Sequence, residues 1–442
     1  MGPHEFALEP GGAAAAPRGD AVRAIVPLTA APDADVAVPG SKSLTNRALV
    51  LAALAAGRSR ITNALFSDDT VVMVEALRRL GFDVEVDRSA LAMVVQGRDG
   101  VIPAAAAELF AGGAGTVARF LTAMVTLGRG RYRIDGDARM RERPIQDLLD
   151  ALRALGATAT AAGDAPPVVI DAGGLRGGRA VMRGNVSSQF LSALLMAAPY
   201  AGGDVEIVVD GHLVGAPYVE MTLALMQVFG ITAEREGLRR FFLRAGQRYR
   251  ARDYAVEPDA SSAAYFFAAA AVTGGRVGVP GLKVRSLQGD ARFVDLLEGM
   301  GCLVERREDR LSVRGTRALR AADVDLGGMS DQTMTLAAIA PFADGPTLIR
   351  GVAHIRHQES DRLATTAAEL RRLGQDVEER PDGLVISPRP VRPAVIQTYG
   401  DHRVAMAFAV TGLRARGIII ADPGCVTKTF PDFFERLEEL RG

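Results

Sequence analysis

The 442-residue sequence has only two cysteines, Cys302 and Cys425, and neither sits in a C-x-x-C or Cys/His spacing. No disulfide framework and no zinc site can be argued from them. It has no charge imbalance, with 52 Lys+Arg against 52 Asp+Glu, so no general attraction to nucleic acid or to an anionic membrane follows. It has no long apolar run, since stretches such as "SSAAYFFAAAAV" are too short to cross a bilayer. Its start, "MGPHEFALEPGGAAAAPRGDA", lacks a basic region followed by a long apolar one, and the Gly/Ala/Pro bias predicts a flexible extension over residues 1–25. Together these absences point to the reducing cytosol. The length calls for two domains or one large repeated domain.

The stretch "PGSKSLTNRA" from Pro39 to Ala48 places a Pro-Gly turn and two serines before an apolar run. A nucleotide-binding P-loop needs G-x-x-x-x-G-K-[ST] so that several N–H groups wrap a polyphosphate; only one Gly precedes Lys42 here, and that reading fails. Two readings stay open for the fragment. One is a helix start whose free N–H groups, with Lys42 and Arg47, favour an anion; the other is plain capping by Ser41 or Ser43.

Internal repetition bears on the choice. A Gly or Pro turn, small or hydroxylated residues and an apolar helix recur in "GSKSLTNRALVLAALA", "GGAGTVARFLTAMVTL", "GNVSSQFLSALLMAAP", "PDASSAAYFFAAAAV", "GMSDQTMTLAAIAPF" and "GDHRVAMAFAVTGL", in steps of roughly 70 residues. Five phrases of the "EALRRLGFDVEV" kind keep the same beat, and their Gly81, Gly156, Gly230, Gly301 and Gly374 fit helix C-caps. Each unit reads as strand, helix, strand, helix and one or two further strands. The first helix of each unit is apolar all round and predicts burial on every side, with helices inside and sheets outside. Two groups of three units would aim their helix N-termini at one another across a cleft. Lys42, Arg47, Arg119, Asp331, His402 and Arg403 fall at or beside those starts. A single Arg is by default a solvated surface charge; recurrence at one place in the unit argues instead for a cleft that takes a small polyanion.

The motifs "PGSKSLTNRALVLAALA", "GAGTVARF", "RMRERPI", "SSQFLSALLM", "PDASSAAYFFAAA", "QESDRL", "GDHRVAM" and "KTFPDFF" resemble, in order and from about Val26 onward, those of the enolpyruvyl transferase family, and within it the shikimate-pathway branch. The resemblance implies a two-domain inside-out α/β barrel of six βαβαββ repeats, three per domain, with buried parallel helices. It implies crossings near Pro39-Gly40 and Glu257-Pro258, hence a discontinuous first domain of residues 26–39 and 257–442 and a second of 40–256. The implied reaction joins phosphoenolpyruvate to a hydroxyl of a phosphorylated acceptor and releases phosphate, with no metal and no organic cofactor, in a cytoplasmic monomer whose only partners are its small-molecule substrates.

By the same resemblance, Asp331 is the base for the acceptor hydroxyl, while Glu359 and Lys42 handle C3 of phosphoenolpyruvate and the tetrahedral adduct. Phosphoenolpyruvate is expected against Lys42, Gly115, Arg143, Gln189, Arg362, His402, Arg403 and Lys428. Ser43 and Arg47 match contacts to the acceptor carboxylate, Ser187 and Ser188 match contacts to its phosphate, and Gln189 is expected between both ligands. Tyr218, Asp331, His354 and Gln358 complete the expected acceptor set. The chain departs from the family pattern at Gly113, where an Asn is usual, at Gly215, where a Ser is usual, and at His354 and Gln358, where Asn and Lys are usual. Shikimate 3-phosphate is the expected acceptor, with a nucleoside monophosphate such as UMP as the alternative. A scaffold without activity is disfavoured because Lys42, Asp331, Glu359 and Lys428 are all present.

Overall fold

The computed structural model describes residues 21–442. Its architecture follows from the six apolar helices. Every residue of Gly115–Met124 and of His402–Gly412 is buried, as is every residue of Thr333–Ile339. Lys42–Leu54 is buried from Leu44 onward, Ser188–Ala197 at all positions but Gln189, and Ala260–Thr273 at all but Ser261 and Thr273. Helices of this kind must be covered on all sides. The second helix of a unit is amphipathic instead: Asp68–Arg79 buries Met73, Val74, Ala76 and Leu77 and leaves Arg78 and Arg79 at the outer end.

The strands supply the cover. In one unit, Ala106–Phe110 pairs in parallel with Arg129–Asp135 on the far side of the buried helix. Val168–Gly173 then runs antiparallel to Arg129–Asp135 and to Thr158–Ala161. The same plan recurs from Gly178 to Leu243 and from Asp323 to Ser387. Gly81, Gly156, Gly230, Gly301 and Gly374 end the second helices with φ between 83° and 101°, the left-handed conformation in which the absence of a Cβ matters.

Buried apolar residues gather in two clusters. One runs from Leu44 to Val256. The other joins Ile25, Val36 and Val38 to residues from Ala260 to Leu440. The chain passes between them twice, and at each passage it exchanges a strand. Asp253–Ala255 pairs in parallel with Ala56–Thr62, while Asp33–Asp35 pairs in parallel with Arg276–Pro280. The crossing segments run antiparallel past each other, with Ser41 N–H donating to the Glu257 carbonyl (2.9 Å) and Asp259 N–H to the Pro39 carbonyl (2.8 Å).

Two features differ from expectation. The sixth sheet has three strands, Ala394–Ile396, Ile418–Ala421 and Val22–Ile25, so the last unit is not a full βαβαββ repeat. Val22–Ile25 also corrects the reading of residues 1–25 as flexible. It closes this sheet antiparallel to Ile418–Ala421, with Ile25 buried in the second core; four residues are too few to show strand alternation against a Gly/Ala/Pro background. Residues 1–20 of that expected extension lie outside the described residues. No helix among the described residues is long and apolar enough to cross a membrane.

The crossing leaves no room at Gly40. A Cβ there would stand 1.8 Å from the Asn63 carbonyl oxygen, and Asn63 is itself tied down by its Nδ2 donating to the Val256 carbonyl at 2.8 Å. Gly40→Ala is therefore expected to lower stability by about 1–3 kcal/mol through overpacking, read as a lower midpoint in urea unfolding. A parental midpoint would show slack at the crossing.

Candidate active site

The helix starts meet in one cavity between the two cores. Lys42, Gly115 and Ser188 come from one core, and Ser330, Asp331 and Arg403 from the other. Lys42, the first residue of its helix, places Nζ 3.0 Å from Asp69 Oδ2, and Lys428 from the other core places Nζ 2.9 Å from Asp69 Oδ1. Asp69 is nearly inaccessible. Burial pushes its carboxyl up, but Lys42 and Lys428 outweigh burial and hold it below the usual carboxylate range. Sequence reasoning missed Asp69 because an acid in the first turn of Asp68–Arg79 looks like ordinary helix-start chemistry; the adjacent pair Asp68–Asp69 was the available signal.

Asp331 stands at the centre of the opposite wall. It accepts from Arg362 Nη1 (3.0 Å), Arg403 Nη2 (2.6 Å) and the Tyr218 hydroxyl (2.9 Å). Burial raises its pKa, and Arg403 and Arg362 more than reverse this, so the group is an ionised carboxylate. Arg362 also donates to Asp401 Oδ2 (2.8 Å), pairs with Glu359 Oε2 (3.0 Å) and bonds Gln358 Oε1. Glu359 is likewise ionised: burial is overcome by Arg362, Arg143, Lys428 and Lys42, which take its pKa well below the ordinary value. Asp401 does two jobs, since its Oδ1 accepts from Arg403 N–H (3.0 Å) as the helix cap while its side chain anchors Arg362.

Three further guanidinium groups on the wall, those of Arg47, Arg119 and Arg143, form no ion pair among the described residues. Arg47 is almost fully buried, donates to Thr222 Oγ1 (2.7 Å) and the carbonyls of Ser43 (3.1 Å) and Tyr218 (3.2 Å), and lies 5.1 Å from the Phe120 ring centroid. Burial lowers its pKa to about 10. Arg119 donates to the Pro144 carbonyl at 2.9 Å, and burial, with Arg143 beside it, pushes its pKa well down. Arg143 bonds the Gly113 carbonyl at 3.2 Å and leaves Nε without a partner. The wall thus carries six cations (Lys42, Arg47, Arg119, Arg143, Arg362 and Arg403) to three carboxylates (Asp69, Asp331 and Glu359). A buried cation without an acid is costly until an anion arrives, so this surface is built for anions.

Of the residues singled out from sequence, Ser43, Arg47, Ser187, Ser188, Gln189 and Tyr218 line one side of the cavity. His354, Gln358, Glu359, Arg362 and Arg403 line the other with Asp331. Lys428 lies behind the wall at Asp69. His402 departs from expectation: it is fully buried, neither ring nitrogen has a hydrogen-bond partner, and it does not line the cavity. Its neighbour Arg403 takes the facing position. Burial, with Lys42 and Arg403 nearby, drives the His402 pKa far down, so the ring is neutral.

The departures from the family pattern have local reasons. A Cβ at Gly113 would lie 2.7 Å from Asp137 Oδ2 and 3.1 Å from Lys428 Nζ, so a side chain there would have to displace the ends of both. Gly215 caps the helix Ala216–Val228 in a left-handed conformation (φ 60°), and a Cβ there would lie 2.9 Å from Ser188 Oγ. His354 bonds Ser330 Oγ at 3.0 Å through Nε2. Among the described residues, no group of three or more His, Cys, Asp or Glu is placed to hold a metal ion.

Fold and wall chemistry together describe a cleft suited to anionic ligands between two sets of helix N-termini. The family model described as EPSP synthase (3-phosphoshikimate 1-carboxyvinyltransferase) matches residues 29–437. The chain is 51% identical over 410 residues to the 3-phosphoshikimate 1-carboxyvinyltransferase of Nostoc punctiforme, covering 92% of this chain and 96% of that one. It is 49% identical to the chloroplastic 3-phosphoshikimate 1-carboxyvinyltransferase of Brassica napus, covering 92% and 82%. Among solved structures, the EPSP synthase of Acinetobacter baumannii superimposes with a TM-score of 0.79 at 27% identity, over 94% of this chain and 97% of that one. The chain belongs to the EPSP synthase family.

Burial pushes the His354 pKa down to about 4 from its ordinary 6.5. The unfolded chain therefore binds the extra proton between those values, and stability must fall as pH drops from about 6.5 to about 4. In thermal melts, the parent is expected to lose stability relative to His354→Asn across that window. A constant difference would mean that the imidazole is not held neutral.

Proposed function

We propose that the protein transfers the 1-carboxyvinyl (enolpyruvyl) group of phosphoenolpyruvate to a hydroxyl of shikimate 3-phosphate and releases phosphate. The observation that carries this reading is Arg47, a buried guanidinium with hydrogen-bonded flanks and no acid partner. One Nη1 hydrogen remains beyond its protein partners to meet a carboxylate, which shikimate 3-phosphate has and a nucleoside monophosphate lacks. The relatives named above carry the name of that reaction, which further disfavours UMP as acceptor.

In the proposed sequence, ionised Asp331 takes the proton of the acceptor hydroxyl as its oxygen forms a bond to C2 of phosphoenolpyruvate. The Lys42 ammonium gives a proton to C3, producing the tetrahedral adduct. Ionised Glu359 then takes a proton back from C3 as the C–O bond to phosphate breaks, which regenerates the double bond; the Glu359 proton returns to Lys42 and the Asp331 proton leaves with the phosphate, so all three groups are restored. Arg143, Arg362, Arg403 and Lys428 hold the phosphoenolpyruvate anion, Arg suiting this through its planar fork; Gly115 and Gln189 shape the same subsite. Ser187, Ser188 and Tyr218 face the acceptor, with His354 and Gln358 over its ring. The two cores act as two domains, residues 26–39 with 257–442 and residues 40–256, that close on the substrates. A cytosolic monomer is part of the same proposal.

Phosphate release from phosphoenolpyruvate, with shikimate 3-phosphate and UMP in parallel reactions, tests the acceptor. Turnover is expected with the first alone, and turnover with UMP alone sinks the reading. Arg47→Ala is expected to cost about 2–4 kcal/mol in kcat/KM for the acceptor, the scale of a buried charged pair losing one partner, with little change in KM for phosphoenolpyruvate. Lys42→Met should release no phosphate while remaining folded, with a lowered melting point because Asp69 then keeps only Lys428 as its partner.

A further inference from the structure

The groups assigned to the chemistry come from both cores, so their geometry depends on what joins the cores. Two of the joining contacts, Lys428 with Asp69 and Tyr218 with Asp331, involve proposed substrate-facing residues. Arg139 is of another kind. It lies four residues before Arg143, is not on the cavity wall, and has a side chain about one-third exposed (36%). Its Nε donates to the Gln358 carbonyl (3.0 Å) and its Nη2 to the Arg356 carbonyl (3.2 Å), both in the opposite core. Its Nη1 is held by Glu142 Oε2 at 2.8 Å, which fixes the plane of the fork.

Both acceptors lie at the end of the 3-10 turn Ala353–His357. Carbonyls at such an end lack partners within the turn, and a cation is favoured there. The turn is bound to its own core from the other side: the Arg356 side chain reaches Asp361 (3.0 Å), Glu379 (2.8 Å) and the Arg380 carbonyl (2.8 Å). The segment is thus rigid with respect to one core and gripped through its backbone from the other. It carries His354 and leads directly into Gln358 and Glu359.

We infer that Arg139 is a positioning residue that latches the closed cleft, donating across it to the Arg356 and Gln358 carbonyls and so setting Glu359 over the phosphoenolpyruvate subsite. Because the acceptors are main-chain atoms, the latch does not depend on the side chains at 356 and 358 and engages only when the two cores approach. Because Arg139 lies off the cavity wall, it competes with neither substrate. The inference rests on the proposed function for the choice of substrates.

The test compares the full-length parent with Arg139→Ala and Arg139→Lys by thermal melting, phosphate release, and small-angle scattering with and without phosphoenolpyruvate plus shikimate 3-phosphate. Arg139→Ala is expected to melt within a few degrees of the parent, to lose roughly tenfold or more in kcat, and to compact less on adding both substrates. Arg139→Lys, with a single point of charge for two carbonyls, should fall between them. Parental kcat and parental compaction in Arg139→Ala overturn the latch, as does lost turnover with full compaction. If Arg139→Ala melts far below the parent, Arg139→Lys decides by the same two readouts. A parent that does not turn over shikimate 3-phosphate strikes the functional proposal and not the latch; compaction with phosphoenolpyruvate and UMP is then compared between parent and Arg139→Ala, and equal compaction overturns it.

Discussion

A helix with no polar face can meet water only through its ends, and six such helices set the plan of this molecule. Their sides are consumed by packing, against one another and against the surrounding sheets, so nothing chemical can be displayed along them. What remains is the first turn of each, with free N–H groups and the positive end of the helix dipole. Lys42, Gly115, Ser188 and Arg403 are functional candidates because of where their helices begin. The cavity sits where the starts converge, and its preference for anions is already present in the backbone before any Lys or Arg is counted.

The cations divide into two kinds by their partners. Arg362 and Arg403 are locked to Asp331 and Asp401 and are rigid, pre-aimed donors. Arg47, Arg119 and Arg143 are buried without an ion pair, Glu359 offsetting part of the charge of the last two, and such charges detract from stability until an anion faces them. Keeping them in that condition is a choice of binding over stability, of the sort found where a site must be ready before its ligand comes. The acids are just as particular: Asp69 brings together two ammonium groups from different cores, and Asp331 is kept ionised by two guanidinium groups against the upward push of burial.

The repeat, the buried helices and the location of the cavity were legible in the sequence, because they depend on local signals that recur: a turn, a hydroxyl, an apolar run and a capping Gly. What was not legible depends on contacts distant in sequence. The exchanged strands Asp33–Asp35 and Asp253–Ala255 are three residues each and carry no pattern of their own. Asp69 resembled a helix-start acid. The orientations of His402 and Arg403 are decided by helix phase, and one residue of phase separates a buried ring from a cavity-lining guanidinium. The losses at Gly113 and Gly215 looked like missing contacts, and only the structure shows the Asp137 side chain beside the one and a left-handed backbone at the other.

The strand exchange also orders events during synthesis. The core built from Leu44 to Val256 receives its last strand, Asp253–Ala255, when little more than half the chain has been made. The other core must wait for its end: Val22–Ile25, among the first described residues, pairs with Ile418–Ala421, near the last. The leading segment is therefore made early and can be used only late, once Ile418–Ala421 has been made. Long-range pairings of this sort close slowly and leave unpaired edges exposed meanwhile. For the nascent chain, the middle is the part that can be completed first, and the two ends can meet only last.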